Sequence, residues 1–302
     1  MNWNFNDLFI NENVGNLLID EPMKNHTSFQ IGGPVDALII PNEEEQIINI
    51  ISICKREKIP YRVMGNGSNL LVKDGGIRGV VIKIQEGFNQ IRVEDNRIIA
   101  EAGALLTAVS KKAMAHSLTG IEFANGIPGT VGGALTMNAG AYGGEMRDVV
   151  VSVRAIDRDL NIIDIPNEEM DFRYRNSRVV RDGLILLSTV IDLKPGVYDE
   201  IEEVMRDLTY RRTSKQPLEL PSGGSTFKRP EGFYAGKLIQ DSGLQGQSIG
   251  GAQVSTKHSG FIVNINNATC KDVLDLVKLV QDTVMGKYGV KLEREIKLIG
   301  ED

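Results

Sequence analysis

The sequence predicts an α+β fold built in more than one part. Three observations carry this. A strand, helix, strand series occupies residues 37–84, a region of short strands broken by glycine-rich loops follows, and after Lys215-Gln216-Pro217 the pattern changes again to strands and one strongly amphipathic helix. At roughly 150 residues per domain, a chain of 302 residues holds about two domains, or three small ones.

In the first part, Ala37 to Ile40 is an apolar run ended by Pro41. Asn42 and Glu45 form an N-x-x-E pattern of the capping-box kind, and Ile47, Ile50, Ile51 and Cys54 recur at helical spacing until Ile59-Pro60 stops the helix. Tyr61 to Met64 and Gly79 to Ile84 read as buried strands around a glycine-rich loop. In the second part, strands are expected over Ile98 to Glu101, Val149 to Ile156, Ile162 to Ile165 and Leu184 to Leu193, with a helix over Leu105 to Ser117. A helix from Asp199 to Arg212 sets Ile201, Val204, Met205 and Leu208 on one face. The third part holds a Gly-Gly-Ser loop at 223–225, a short helix through Lys237 to Gln240, and strands near Gly250 to Val254 and Phe261 to Ile265. Thr269 and Asp272 then cap a helix that buries Val273, Val277, Val280 and Val284, and Val290 to Ile299 reads as a closing strand.

Composition removes several functions. Thirty-four Lys and Arg against 40 Asp and Glu give a net charge of −6, which argues against a broad nucleic-acid surface. Two cysteines and three histidines form no metal-ligand spacing, and two distant cysteines fit a reducing compartment. The N-terminal stretch lacks the basic start and apolar run of a signal peptide, and no segment has the apolar length of a membrane span. The expectation is a cytoplasmic protein without membrane insertion.

The 32 glycines are the excess that needs a reason, since about 7 % is usual. Gly65-x-Gly67 follows a strand, as a dinucleotide fingerprint does, but Leu70 stands where the third glycine belongs. The loop is then either a tight turn or an anion cradle in which Ser68 and Asn69 add donors. Eight glycines lie between Gly120 and Gly144, too many for one regular element. The segment from Asn125 leaves backbone uncovered for close contact with a ligand, or is an irregular packed loop. Gly232 to Lys237 has the wrong spacing for a P-loop, and His26 reads as a hydrogen-bonded loop residue. Arg173, Arg175 and Arg178 form a cluster able to hold a carboxylate, while Glu295 alone reads as a surface charge.

Six motifs in one order change the weight of these signals. Asn25-His-Thr-Ser-Phe-Gln-Ile-Gly-Gly, Met64-Gly-Asn-Gly-Ser-Asn-Leu-Leu, Gly126-Ile-Pro-Gly-Thr-Val-Gly-Gly-Ala, Tyr174-Arg175-Asn-Ser, Gly224-Ser-Thr-Phe-Lys and Leu292-Glu-Arg-Glu-Ile-Lys-Leu-Ile-Gly together resemble the UDP-N-acetylenolpyruvoylglucosamine reductase family, in its compact second type. The resemblance implies an FAD-binding fold of the vanillyl-alcohol-oxidase-like type in two α/β parts, plus a C-terminal α+β substrate-binding domain. It implies boundaries at 1–84, 85–212 and 213–295, with 296–302 returning to the first part.

It also implies a reaction and its residues. NADPH reduces FAD, and hydride then passes from the flavin to the enolpyruvyl double bond of UDP-N-acetylglucosamine enolpyruvate in peptidoglycan precursor synthesis. FAD would be held by Gly65, Asn66, Gly67, Ser68, Asn69 and Leu70, and by Gly126, Ile127, Pro128, Gly129, Thr130, Gly132 and Gly133. Arg175 and Glu295 would stabilise charge developing at the substrate carboxylate, and Ser225 would protonate carbon two. Tyr174, Lys215, Lys228 and Arg229 would contact substrate, Arg229 standing where an asparagine is common. Two other readings compete: another FAD-dependent oxidase or dehydrogenase on the same scaffold, and a non-catalytic binder of flavin or nucleotide sugar.

Overall fold

The computed structural model describes residues 3–302. Two compact units share them. The first takes residues up to 19 with 37–66 and 80–212, the second 20–36, 67–79 and 213–302.

Two sheets contribute strand residues to the first unit. In the four-stranded sheet the order is Asn16–Pro22, Pro34–Ile40, Ile77–Lys83, Tyr61–Met64, and its last two strands run parallel, Tyr61 opposite Val80. The helix Glu44–Arg56 turns Ile47, Ile50, Ile51 and Cys54 inward at the expected spacing. The five-stranded antiparallel sheet runs Ile162–Pro166, Val150–Ile156, Ile185–Asp192, Arg97–Glu101, Ile91–Glu94. Alternation puts Val153, Ala155 and Ile191 into a continuous core with the helix Leu106–Ala115.

The second unit has its own core. A sheet ordered Ser222–Ser225, Phe261–Asn264, Ala252–Val254, Ser248–Ile249 is joined by the helix Cys270–Tyr288, whose Val273, Val277, Val280 and Val284 are buried. Thr269 caps that helix, with Thr269 Oγ1 accepting from the Asp272 amide and the Asp272 carboxylate accepting from the Thr269 amide at 3.0 Å. Gly289 ends it in the left-handed region, φ 66°. Lys297–Ile299 pairs parallel with Leu70–Val72, two segments more than two hundred residues apart in sequence.

Five sequence expectations are corrected. The helix expected to start behind Asn42 begins one residue later: Glu43 is its N-cap, and the Gln46 side chain, not Glu45, reaches back to the Asn42 amide at 2.7 Å. Tyr61–Met64 is only half buried, since Arg62 and Val63 are exposed. Val204 faces solvent, while the inward stripe of the helix Tyr198–Lys215 runs Ile201, Met205, Leu208 and Arg212. The Gly-Gly-Ser segment is strand, because Ser222 and Ser225 pair with Val263 and Phe261. Only Lys297–Ile299 of the expected closing strand pairs regularly, with Arg294 making an isolated bridge to Phe227.

The cap offers a test with a defined sign. Hydrogen bonding from the Thr269 backbone, above all, holds the Asp272 carboxyl below its ordinary value, so its contribution is present above that value and is lost as pH falls through the folded-state pKa. Asp272→Ala should cost about 1 kcal/mol at pH 7, as helix caps do. In urea unfolding followed by far-ultraviolet circular dichroism, the gap between wild type and variant should shrink as pH drops below 4; a gap constant down to pH 2 would contradict the assignment.

Candidate active site

In the first unit the two glycine loops named from sequence meet. Gly65 lies so close to Thr130 that a Cβ there would stand 2.2 Å from Thr130 Oγ1, so only glycine fits. Asn66 extends the contact, its Nδ2 donating to the Pro128 carbonyl at 2.7 Å. Gln85 orients Asn66 in turn, with Nε2 donating to Asn66 Oδ1 at 3.0 Å.

The second loop is tied down on its other side. Leu106 N donates to Gly129 O, Val131 N to Ala104 O and Gly132 N to Ala102 O. Thr107 Oγ1 accepts from Gly126 N at 3.2 Å and lies 3.4 Å from Ile127 O. Thr130 then caps the six-residue helix Val131–Thr136, its Oγ1 accepting from the Gly133 amide. The glycine-dense stretch is therefore a short-element segment held at many points. A flexible linker would have none of these bonds.

Two atoms in this unit are buried with no hydrogen-bond partner among the described residues, Gln85 Oε1 and Arg212 Nε. Gln85 touches the first loop through Asn66, and Arg212 Nη1 donates to Gly126 O of the second at 2.8 Å. Orphaned polar atoms are costly, and their position beside backbone cleared of side chains fits a ligand with both donors and anionic acceptors, such as a dinucleotide. Neither residue was singled out from sequence. Arg212 did leave a signal, because it continues the buried 4-3-4 spacing of Ile201, Met205 and Leu208.

The expected arginine cluster does not converge. Arg173 pairs with Asp171 at 2.9 Å, and Arg178 with Asp182 at 2.7 Å and Glu169 at 3.1 Å. Hydrogen bonds from Arg181 and then Arg178 hold the Asp182 carboxyl at about 2. Acidic neighbours in the same segment thus take two of the three guanidinium groups. Arg175 lies in the left-handed region at φ 56° with its guanidinium 5.0 Å from the ring centroid of Tyr174, which is 56 % exposed.

The second unit brings Ser225, Glu295 and Asn69 to neighbouring positions. Thr226 is fully buried and spends every polar group: its amide donates to Gly260 O, its Oγ1 accepts from Ile262 N, and its carbonyl accepts from Glu295 N at 2.8 Å. Asn69 bonds the next stretch, its carbonyl accepting from Lys297 N and its Nδ2 reaching Glu295 O at 3.4 Å. Ser225 is exposed beside this junction, and Glu295 is partly exposed. Gly67 accepts from Ser28 N and Leu70 N, which fixes the turn carrying Ser68. Lys228 pairs with Glu293 at 3.1 Å, Arg229 lies over the Tyr234 ring at 4.1 Å, and Lys215 is exposed at the end of its helix.

Comparison with known proteins decides the family. Residues 216–299 match the profile described as UDP-N-acetylenolpyruvoylglucosamine reductase, C-terminal domain, and residues 35–165 match an FAD binding domain. The protein of that reductase name from Clostridioides difficile (strain 630) is 54 % identical over 284 residues, 94 % of this chain and 93 % of its own. The chain belongs to the UDP-N-acetylenolpyruvoylglucosamine reductase family. A reductase of the same name from Clostridium botulinum is 53 % identical over 298 residues, covering 99 % of this chain and 96 % of its own. The crystal structure of the Thermus caldophilus reductase superposes with a TM-score of 0.80 at 34 % identity, covering 94 % of this chain and 98 % of that one. The fold is therefore the FAD-binding fold with the reductase C-terminal domain, as the motifs implied.

The contact at Gly65 gives a reciprocal prediction. Gly65→Ala should lower the flavin content of the purified protein, read from the ratio of visible to ultraviolet absorbance. Adding Thr130→Ala removes the Oγ1 and Cγ2 that the new methyl meets, so the double variant should regain part of the loss. Strictly additive losses would show that the close approach is not the constraint.

Proposed function

We propose that the chain is an FAD-dependent, NADPH-driven reductase that converts UDP-N-acetylglucosamine enolpyruvate to UDP-N-acetylmuramate in peptidoglycan precursor synthesis, acting in the cytoplasm. The observation that carries this is the likeness along 94 % of the chain to reductases of that name, with the Ser225, Glu295 and Asn69 segments drawn together in one unit.

When bound, FAD supplies the hydride that enters carbon three of the enolpyruvyl group. The residues handle charge and protons. Electron density moves toward the substrate carboxylate, and the Arg175 guanidinium, 5.0 Å from the Tyr174 ring centroid, meets it with a planar, forked set of donors. Glu295 shares the carboxylate as a hydrogen-bonding partner. Ser225 Oγ delivers the proton to carbon two. A serine hydroxyl is a weak acid, so the step needs a strongly basic carbon within hydrogen-bond reach, and a fixed backbone at 225–226 serves that need. Tyr174, Lys215, Lys228 and Arg229 bind the nucleotide sugar, with Arg229 offering a flat cation stacked on Tyr234. The loops at 65–70 and 126–133 hold FAD, and the working division of the chain is 1–84, 85–212 and 213–295, with 296–302 returning to the first part.

Stopped-flow spectroscopy in two stages separates the roles. Ser225→Ala should still bleach its flavin with NADPH at the wild-type rate, while reoxidation by UDP-N-acetylglucosamine enolpyruvate should slow by about 10²- to 10⁴-fold, the usual worth of a general acid. Equal loss in both stages would remove Ser225 from the proton step. A wild-type reduced flavin that ignores this substrate would sink the functional reading.

A further inference from the structure

The helix Val131–Thr136 ends in a pair of backbone bonds, Ala139 N donating to Ala134 O at 2.8 Å and Asn138 N to Leu135 O at 3.3 Å. This puts Asn138 just past the cap in the left-handed region, φ 41°, where glycine is the favoured residue. Eight glycines lie between Gly120 and Gly144, yet this position carries a side chain and is 1 % exposed. That side chain is fully engaged. Oδ1 accepts from Arg147 N at 3.0 Å, and Nδ2 donates to Glu145 Oε2 at 2.9 Å and to Arg173 O at 3.4 Å. The first two bonds hold the hairpin that follows the helix. The third reaches a different segment.

Arg173 opens the turn that carries Tyr174 and Arg175. The turn is closed on itself, with Arg173 N donating to Asn176 O at 3.0 Å and Asn176 N to Arg173 O at 3.1 Å. Arg175 sits in it at φ 56°, a conformation that costs energy for a residue with a Cβ and persists only where neighbouring structure enforces it. Both flanks of the turn are tied to one helix end. Asn138 holds Arg173 O on one side, and on the other Ser177, 2 % exposed, donates from Oγ to Thr136 O at 3.0 Å. All of these residues belong to the first unit. The helix end alone does not account for an asparagine, since glycine would close it at least as well.

We propose that Asn138 is a positioning residue for Arg175: it fixes the turn from which the guanidinium meets the substrate carboxylate, with Ser177 as the second anchor. This rests on the functional reading above, in which Arg175 meets that carboxylate. The action of Asn138 runs through the Arg173 carbonyl, two residues before the arginine.

Asn138→Gly is the informative variant, because glycine keeps the left-handed helix end and removes only the side-chain bonds. Full-length holoenzyme reduced with NADPH is mixed with UDP-N-acetylglucosamine enolpyruvate, for wild type, Asn138→Gly, Arg175→Ala and the double variant. Reoxidation should slow about 10- to 100-fold in Asn138→Gly, as expected for a group displaced by about an ångström, and the same change made on Arg175→Ala should cost less than about twofold. The oxidised holoenzyme of Asn138→Gly should bind UDP-N-acetylmuramate, which has the carboxylate, about tenfold more weakly, and UDP-N-acetylglucosamine, which lacks it, within about twofold of wild type. Losses that multiply in the double variant, or both ligands weakened equally, would reduce Asn138 to packing of its segment and overturn the proposal, as would wild-type reoxidation by Asn138→Gly. Should Asn138→Gly fail to fold by circular dichroism, Ser177→Ala in the same cycle reads the other anchor of the turn with the same expected and contrary results. A wild-type reduced flavin that ignores the substrate, or Arg175→Ala reoxidised at the wild-type rate, would refute the functional reading itself. A slow Arg175→Ala with multiplying losses would refute only this inference.

Discussion

The close approach of Gly65 to Thr130 is the constraint on which the meeting of the first unit's two loops depends. Everything on either side follows from it. Thr130 presses against this bare backbone and also caps the helix Val131–Thr136, whose first-turn Gly132 amide donates to the Ala102 carbonyl. Asn66 then bridges to Pro128 and is itself oriented by Gln85. Two loops some sixty residues apart thus become one surface of backbone and small side chains. Bulk at Gly65 would have to move strand or loop, since the Thr130 side chain it meets is short, branched and already hydrogen-bonded.

In the second unit the corresponding part is played by a buried threonine. Thr226 has its amide, carbonyl and hydroxyl all satisfied by backbone, so the segment 225–226 has little freedom to shift. At the end of the strand Ser222–Ser225 the chain turns, leaving Ser225 exposed and burying Thr226 and Phe227. Glu295 is set by the bond its amide makes to Thr226, and Asn69 fixes both the carbonyl of Glu295 and the amide two residues on. The placement of the exposed Ser225 hydroxyl therefore comes from its buried neighbour.

How far the sequence discloses this depends on the range of the interactions. The Thr269 box and the Val273, Val277, Val280, Val284 stripe are legible because all their partners lie within one helix, and they stand as read. Asn42 misleads at the same range, because Gln46 competes with Glu45 for the role of reaching back and the chain starts its helix at Glu44. The arginine triplet misleads for a related reason: Asp171 and Asp182 are as local as the arginines, and charge pairing within a segment needs no ligand. Ser225 and Glu295 lie seventy residues apart, so no local rule could join them, and only the order of motifs over the whole chain raised them. The family, likewise, follows from that order and not from any single loop.

Arg212 shows where pattern reading stops short for a different reason. Its helix, Tyr198–Lys215, has a polar composition and a narrow apolar stripe, so a cation at the next inward position looks like the end of the stripe instead of part of it. The helix can bury a charge there because Gly126 yields the space, and Gly126 can adopt its left-handed turn because it carries no side chain. Glycine and arginine thus specify each other across 86 residues of sequence. The glycine excess is in part the complement of the few large polar side chains that must come close to bare backbone. Counting glycines reveals the loop; only the packed structure reveals the cation that the loop was cleared to admit.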